Sequence, residues 1–255
     1  MTGPAPSAEG WRAHGRSFGA VAGGYASLRP GYPADVVPFL LGDRPLRVLD
    51  LGAGTGLLTD RLVQAGHEVV AVDPSPEMLG ELAARLPQAE TVAGTAESVP
   101  LAAASVDAVV AGQAAHWFTA GPAAAELRRV LRPGGVVGFV WNTRDDRVPW
   151  VAALGELTAD LERNHDEDHD VVVTGFAPDL DAEVTVAESG VVQRLTPEQV
   201  AGLMGTRSYV AVMSPDERAA FLDRIRGLLA THPDTRGRDE FDLPYRTAAY
   251  RLTPR

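Results

Sequence analysis

The most constraining feature of this sequence is a glycine-rich turn that follows an apolar segment. Residues 46–51 read LRVLDL, a short apolar run typical of a buried strand, and three glycines follow at alternate positions between Gly52 and Gly56. Apolar residues then recur at helical spacing up to Gly66. A glycine turn between a strand and a helix lets backbone amides and the helix N-terminus approach a ligand. The segment therefore predicts a ligand-binding loop.

The glycine spacing and the residue after a second strand narrow the class of ligand that the loop can bind. The dinucleotide fingerprint is G-x-G-x-x-G, but here the third glycine comes one residue early, because position 57 is Leu. This departure favours a nucleoside without a pyrophosphate. Asp73 follows the strand predicted over 68–72, roughly 20 residues after the loop, where a carboxylate accepts hydrogen bonds from both ribose hydroxyls. That spacing alone is equally compatible with an NAD-binding site.

Strands and helices alternate along the first part of the chain, which predicts parallel βαβ units with helices on both faces of the sheet. Strands are predicted over 46–51, 68–72, 90–93, 106–111 and 136–141. After Trp141 the pattern changes to a helix over 149–164, a charged solvated loop over 165–170, a strand over 183–195 and helices opening at Thr196 and Ser214. The final strand, 241–252, contains Pro244, which predicts an edge position or a bulge.

Composition excludes several classes of function. The chain has 255 residues, 45% of them apolar, and a net charge of −11, which argues against a nucleic-acid or anionic-membrane partner. The absence of cysteine excludes disulfides, cysteine-ligated metals and cysteine nucleophiles. The start of the chain lacks the apolar segment of a signal peptide, and no stretch is long and apolar enough to span a membrane, so we expect a cytoplasmic protein. Whether the chain forms a homodimer stays open at this point.

Three motifs together resemble the class I S-adenosylmethionine-dependent methyltransferases over roughly residues 45–142. They are DLGAGTG at Asp50–Gly56, the strand-end acid in VVAVDPSPEML, and LRPGG before the fifth strand. The resemblance implies an α/β fold: a Rossmann-like, doubly wound, mostly parallel seven-stranded sheet with an antiparallel C-terminal strand and a small helical cap. It also implies an enzyme that uses S-adenosylmethionine as its cofactor.

Further segments resemble the branch of this family that includes trans-aconitate methyltransferase. They are YASLRPGYP (25–33), QAAHWF (113–118), WNTRD (141–145), RSY (207–209) and LPYRT (243–247). The resemblance implies four regions: an arm over the cofactor (1–33), the cofactor-binding core (34–142), a cap with strand 6 that contacts the substrate (143–235), and the C-terminal strand (236–255). Branch membership points to the cofactor and leaves the methyl acceptor open.

The resemblance also implies site residues. It implies that the glycine loop packs against the amino-acid end of the cofactor and that Asp73, the acid at the end of the second strand, binds the ribose. It also implies that the arm folds over the cofactor. The implied cofactor-binding residues are Tyr25, Arg29, Asp50, Gly52, Ala53, Gly54, Gly56, Asp73, Pro74, Met78, Ala96, Glu97 and Gln113.

The acceptor side is predicted from residues near the ends of the fourth and fifth strands. The candidate substrate-binding residues are His116, Trp117, Trp141, Asn142 and Tyr209. His116 is also the candidate catalytic base, and the alternative is that it hydrogen-bonds the backbone or packs beside Trp117. A base is needed only when the attacking atom must lose a proton, which a carboxylate does not. No metal site is expected, since the acidic run 165–170 is typical of a solvated loop.

The sequence therefore predicts methyl transfer from S-adenosylmethionine to a small molecule, on oxygen, with a carboxylate as one candidate group. Two alternatives from other classes stay open: an NAD-dependent oxidoreductase, and a non-catalytic protein that binds S-adenosylmethionine. A methyltransferase acting on macromolecules is disfavoured by the negative charge and by the absence of a [DN]-P-P-[YFW] motif.

Overall fold

The computed structural model describes residues 28–162, 169–207, 210 and 213–255. In this part of the chain one sheet has seven strands, in the order β3-β2-β1-β4-β5-β7-β6. The strands are β1 (Arg47–Leu51), β2 (Glu68–Asp73), β3 (Glu90–Ala93), β4 (Val106–Gly112), β5 (Leu131–Arg144), β6 (Ala182–Leu195) and β7 (Phe241–Pro254). Strands β1 to β5 are parallel, and β7 runs antiparallel between β5 and β6. The predicted fold class is confirmed.

Helices cover both faces of this sheet. In the described residues they are α1 (Val36–Leu41), α2 (Leu57–Gln64), α3 (Pro76–Arg85), α4 (Ala120–Val130), α5 (Pro149–Glu162), α6 (His169–Leu180), α7 (Pro197–Gly205) and α8 (Pro215–Thr231). Helices α4 and α6 pack on one face and α1, α2 and α3 on the other, each around a buried apolar cluster. Because helices bury both faces of the sheet, the strands β1, β2 and β4 are almost continuous apolar runs in the sequence.

A third apolar cluster forms the cap. Side chains of α5, α7 and α8 pack together with Leu195 and with the first half of β7, including Phe241 and Leu243. Two of these helices begin at the predicted caps, where Thr196 and Ser214 each form a reciprocal capping box with the side chain three residues later. The cap is therefore built onto the end of the sheet that carries β7.

The structure corrects two predictions. His169 and Asp170 belong to α6 and not to a solvated loop, and the sequence did not predict this helix at all. Its valines, glycine and proline disfavour a helix locally, but Val173, Phe176 and Leu180 are buried against the sheet, so tertiary packing overrides propensity.

The second correction concerns Pro244. Strand β7 is central, not at the edge, and no register shift accompanies the proline in its pairing with β6. Pro244 lies one residue beyond the last β5–β7 pair, Arg144 with Tyr245, and its carbonyl accepts a hydrogen bond from the Asp145 amide at 2.9 Å. The pairing with β5 has ended at this position. No carbonyl of β5 therefore lacks a donor because proline has no N–H.

The topology determines where a ligand binds. The chain leaves β1 for β2 on one side, while β4 lies on the other side of β1, so the strand order reverses between β1 and β4. A crevice forms beyond the carboxyl ends of the strands at such a switch point. The glycine loop, Asp73 and Gln113 all lie at this edge.

Candidate functional site

A cavity of about 840 Å³ opens at the carboxyl edge of the sheet. Its volume lies in the upper part of the range found for small-molecule sites. It runs from the ends of β2 and β3, past the glycine loop, to β7 and the cap.

The glycine loop has the backbone conformation that only glycine adopts without strain. Gly52 and Gly54 have φ of +72° and +55°, and both line the cavity. The amide of Gly52 donates to the Val72 carbonyl at 2.8 Å, which ties the loop to the end of β2. A Cβ on Gly52 would lie 2.6 Å from the Cβ of Ala114, so a side chain does not fit there.

Asp73 is held rigidly at the end of β2. Its Oδ2 accepts a hydrogen bond from the Gly54 amide and its Oδ1 from the Ser75 amide, both at 2.9 Å. Burial raises the pKa of Asp73, and the two amide hydrogen bonds oppose that rise. A carboxylate accepts about four hydrogen bonds in all, so this one retains capacity for a ligand's hydroxyls.

Asp50 in β1 is a second buried carboxyl on the cavity wall. The Thr59 hydroxyl donates to its Oδ2 at 2.6 Å, while Oδ1 has no hydrogen-bond partner among the described residues. Burial, with a smaller contribution from the charge of Asp73, raises the pKa of Asp50 to about 7. A carboxyl of this kind ionises readily when a cation enters the cavity.

Gln113 combines backbone strain with a position on the cavity wall. Its φ is +55°, which is uncommon outside glycine, and its side-chain amide donates to the carbonyl of Asn142 at 2.7 Å. Strained residues that the surrounding structure holds in place cluster at functional sites.

Asn142 joins the sheet to the segment before α1. Its amide donates to the Gly31 carbonyl at 3.0 Å, and its Oδ1 accepts from the Thr247 hydroxyl at 2.6 Å. Arg29, in the same segment, donates to the carbonyl of Thr206 at 3.2 Å. These contacts hold the segment over the cavity between β5 and the cap.

Most of the residues predicted from the sequence are brought together here. Those that line the cavity are Arg29, Asp50, Gly52, Ala53, Gly54, Asp73, Pro74, Met78, Ala96, Glu97, Gln113, Trp117 and Asn142. Gly56, His116 and Trp141 are not among the lining residues, and Tyr25 and Tyr209 lie outside the described part of the chain. Gly56 has φ of +84°, and a Cβ there would lie 2.7 Å from Leu82, so it serves the turn and the packing of α3.

His116 and Trp141 contact each other, and neither lines the cavity. The indole Nε1 of Trp141 donates to His116 Nδ1 at 3.2 Å, and the indole stacks on the ring of His169. Trp141 is buried in the sheet core, whereas its neighbour Asn142 lines the cavity. Successive strand residues point to opposite faces, so only one of the two can face a ligand.

Some lining residues were not predicted as site residues. They include Tyr32, Leu203 and Tyr245. Arg207 and Tyr245 lie in segments that carry the resemblance to the methyltransferase branch, but nothing in the sequence indicates that the cap brings them to one cavity. Their position depends on contacts between distant parts of the chain.

Two features are absent from the described residues. They contain no group of three histidine, aspartate or glutamate side chains arranged to hold a metal ion. None of the helices in the described ranges has both the length and the apolarity needed to cross a bilayer.

Comparison with known proteins identifies the family. A family model described as a methyltransferase domain matches residues 49–139. An uncharacterized methyltransferase of Mycobacterium tuberculosis is 46% identical over 237 residues, which cover 93% of this chain and 95% of that protein. This chain belongs to the class I methyltransferases. An uncharacterized methyltransferase-like protein of Schizosaccharomyces pombe is similar to this methyltransferase at 33% identity over 89% of the chain and 91% of that protein.

Solved structures agree with the family. A protein of Anaeromyxobacter dehalogenans assigned as a type II methyltransferase matches with a TM-score of 0.67 and 28% identity, covering 89% of this methyltransferase and 97% of that chain. The [4+2]-cyclase SpnF shares the fold at a TM-score of 0.57 and 15% identity, over 100% of this chain and 99% of that one. A shared fold does not determine the reaction. Family membership, which rests on the sequence relatives, argues against the NAD-dependent oxidoreductase.

Proposed function

We propose that this methyltransferase transfers the methyl group of S-adenosylmethionine to an oxygen atom of a small molecule. The observation that carries the proposal is the Asp73 carboxylate, fixed by the amides of Gly54 and Ser75 on the wall of the cavity. The remaining lone pairs of this carboxylate suit the two ribose hydroxyls of a nucleoside.

The other cavity residues fit the rest of the donor. Ala96, Glu97, Pro74 and Met78 lie beside the β2–β3 end and would contact adenine, while Gly52, Ala53, Gly54 and Gln113 would contact the methionine end. The donor carries positive charge on its sulfonium and its amino group, and Asp50 supplies the matching buried carboxylate. Arg29 would pair with the methionine carboxylate.

The reaction is an in-line displacement. A lone pair of the acceptor oxygen forms the new bond to the methyl carbon as the carbon–sulfur bond breaks, and its electron pair returns to sulfur to give S-adenosylhomocysteine. The chain's residues need only align the two molecules and exclude water. Apolar walls favour this step, because attack by an anion on a sulfonium neutralises charge.

The acceptor oxygen is best supplied already ionised. Among the described residues that line the cavity there is no histidine, and His116 instead accepts a hydrogen bond from Trp141. A carboxylate needs no base, whereas a phenol or alcohol does. We therefore favour a carboxylate oxygen as the methyl acceptor.

A partial relative supports oxygen as the acceptor atom. The malonyl-[acyl-carrier protein] O-methyltransferase of Methylococcus capsulatus is 40% identical over 136 residues, which are 49% of this chain and 50% of that protein. The match covers only about half of either chain, so it does not name the molecule that is methylated.

The test combines binding and turnover. Calorimetry should show S-adenosylmethionine binding, which Asp73→Ala weakens by about tenfold or more through lost ribose hydrogen bonds. The matched control is Asp60→Ala, which removes a half-buried carboxylate on α2 that does not line the cavity and should leave affinity unchanged. Incubation with methyl-labelled donor and a panel of carboxylic acids and phenols should then yield labelled methyl esters.

Two results would count against the proposal. Unchanged affinity in Asp73→Ala would remove this residue from the donor site. Tight donor binding without any labelled product, from the panel or from a metabolite extract, would instead indicate a non-catalytic S-adenosylmethionine-binding protein.

A further inference from the structure

The loop after β3 forms the end of the cavity at which the adenine of the donor is proposed to lie. Residues 94–97 of this loop line the cavity. Apart from one isolated bridge between Thr95 and Ser98, the described residues 94–105 form no helix or strand. Strand β3, which precedes them, has four residues and lies at the edge of the sheet. Strand pairing therefore fixes only the start of residues 94–101, which we call the base loop.

An ion pair on helix α4 holds the backbone of the base loop. Arg129 Nε and Nη2 donate to Glu126 Oε1 and Oε2, each at 2.7 Å. Glu126 Oε2 also accepts a hydrogen bond from the amide of Val99 at 2.8 Å. Arg129 donates in turn to the carbonyls of Val99 at 2.8 Å and Leu101 at 2.7 Å. We call Glu126 and Arg129 the clamp, because together they bind a donor and two acceptors of the loop backbone.

The geometry of the clamp is well defined. The guanidinium and the carboxylate meet through two hydrogen bonds, which fixes their relative orientation. The hydrogen bond from Arg129 is the main cause that lowers the pKa of Glu126, so the carboxylate stays ionised at neutral pH. The side chains of Arg129 and Glu126 are 36% and 20% exposed, so water screens part of their attraction. The clamp therefore contributes position to the base loop more than stability to the fold.

A second contact joins the base loop to α4 at the cavity itself. Glu97 lines the cavity, and its Oε1 accepts a hydrogen bond at 2.8 Å from the amide of Thr119, the residue before α4. The base loop is thus attached to one helix at its cavity end by Glu97 and at its later residues by the clamp. Glu126 and Arg129 are not among the described residues that line the cavity. The clamp can therefore act on a ligand only through the base loop.

We propose that Glu126 and Arg129 are positioning residues that determine the base specificity of the donor site, because they align the polar groups of the base loop with the edge of adenine. Adenine presents an amino donor beside a ring-nitrogen acceptor, whereas hypoxanthine presents a carbonyl acceptor beside a ring N–H donor. Hydrogen bonds weaken steeply with distance and angle, so a base loop displaced by about 1 Å would no longer distinguish the two bases. The inference rests on the proposed binding of S-adenosylmethionine.

The experiment compares two ligands by calorimetry, S-adenosylhomocysteine and its hypoxanthine analogue S-inosylhomocysteine. The variants are Arg129→Met, Glu126→Ala and Glu126→Gln, each measured well below its melting temperature. The matched control is Arg128→Met, which changes the neighbouring arginine of α4, an exposed residue that does not line the cavity. The readout is the ratio of the two dissociation constants. A residue with a structural role alone lowers the melting temperature and leaves this ratio at its wild-type value.

The wild type should bind S-adenosylhomocysteine about tenfold or more tightly than the hypoxanthine analogue, because the wrong base leaves polar groups of the site unpaired. In Arg129→Met and Glu126→Ala this preference should fall to about twofold, mainly because S-adenosylhomocysteine binds about fivefold more weakly. Glu126→Gln can still accept the Val99 amide but loses the ion pair, so its preference should be intermediate. Arg128→Met should keep the wild-type preference.

A wild-type preference in all three clamp variants, whatever their melting temperatures, would show that the clamp does not determine base specificity. Equal affinity of the wild type for the two ligands would show the same, as would an equal loss of preference in Arg128→Met. If Arg129→Met and Glu126→Ala do not fold, Glu126→Gln decides, and a wild-type preference in that variant contradicts the inference. Failure of the wild type to bind S-adenosylhomocysteine would count against the proposed function instead, so the two failures are distinguished.

Discussion

The two ends of the cavity are built in different ways. The centre of the donor side, the glycine loop with Asp73, comes from one short stretch of chain, β1 to β2, in which Gly54 and Asp73 are 19 residues apart. The acceptor side is assembled from distant segments, since Asn142 contacts Gly31 across 111 residues. A local motif can keep the donor site constant, while long-range contacts leave the acceptor site free to differ between relatives.

The largest expected effect is on the donor side, where backbone fit is tightest. Gly52→Ala should lower the free energy of unfolding by about 3 kcal/mol, because it adds left-handed strain and a clash with Ala114. Gly54→Ala, with the same sign of φ but open space around its Cβ, should cost only about 1 kcal/mol. Urea denaturation without cofactor measures both, and equal losses would show that the clash is irrelevant.

The second-largest expected effect concerns Asn142, which connects strand β5 to the segment before α1. Asn142→Ala should lower the free energy of unfolding by about 2 kcal/mol, since it leaves the buried Thr247 hydroxyl and the Gly31 carbonyl without their partner. The control is Thr143→Ala, which truncates an exposed neighbour. If thermal or urea unfolding gave the same small loss for both variants, the segment before α1 would not depend on Asn142.

A pH dependence should be confined to the donor side. The pKa of Asp50 is about 7 in the cofactor-free protein, so the carboxyl is mostly neutral at pH 6 and ionised at pH 8. A cationic donor favours the ionised form, so its affinity should fall as pH decreases below 7, by up to about tenfold per unit. Calorimetry between pH 5.5 and 7.5 measures this.

Asp50→Asn provides the control for that titration. It should remove most of the pH dependence over the same range. A wild-type affinity that is flat from pH 5.5 to 7.5 would mean that Asp50 does not respond to the donor.

The smallest expected effect concerns His116. A general base contributes about 10² to 10⁴ to the rate, whereas His116 is absent from the lining residues and accepts a hydrogen bond from Trp141. His116→Gln should therefore change kcat by less than about threefold for any acceptor found in the screen. A hundredfold loss, with donor affinity intact, would restore His116 as the base and favour an acceptor that must lose a proton.

The difference between a donor side built locally and an acceptor side built by long-range contacts also explains which features the sequence could predict. The strands β1 to β4, the glycine turn and Asp73 follow from apolar runs and glycine spacing, which are local properties, and the structure places them within a residue or so of the prediction. The helix starts at Thr196 and Ser214 are local as well and are confirmed.

The acceptor side could not be predicted in the same way. Helix α6 forms because Phe176 and its neighbours pack on the sheet, not because of helix propensity. Arg207 and Tyr245 meet only after β7 inserts between β5 and β6 and the cap packs onto its first half. Trp141 and Asn142 were both predicted to bind substrate, but adjacent residues of a strand face opposite ways.

The central claim is that Asp73 and the glycine loop hold the donor so that its methyl group faces the cap. A crystal structure of the complex with S-adenosylhomocysteine tests it most directly. We predict both ribose hydroxyls within hydrogen-bond distance of the Asp73 carboxylate, and the sulfur directed toward Arg207 and Tyr245. A ribose bound elsewhere, or a sulfur facing away from the cap, would show that Asp73 and the glycine loop do not hold the donor in this way.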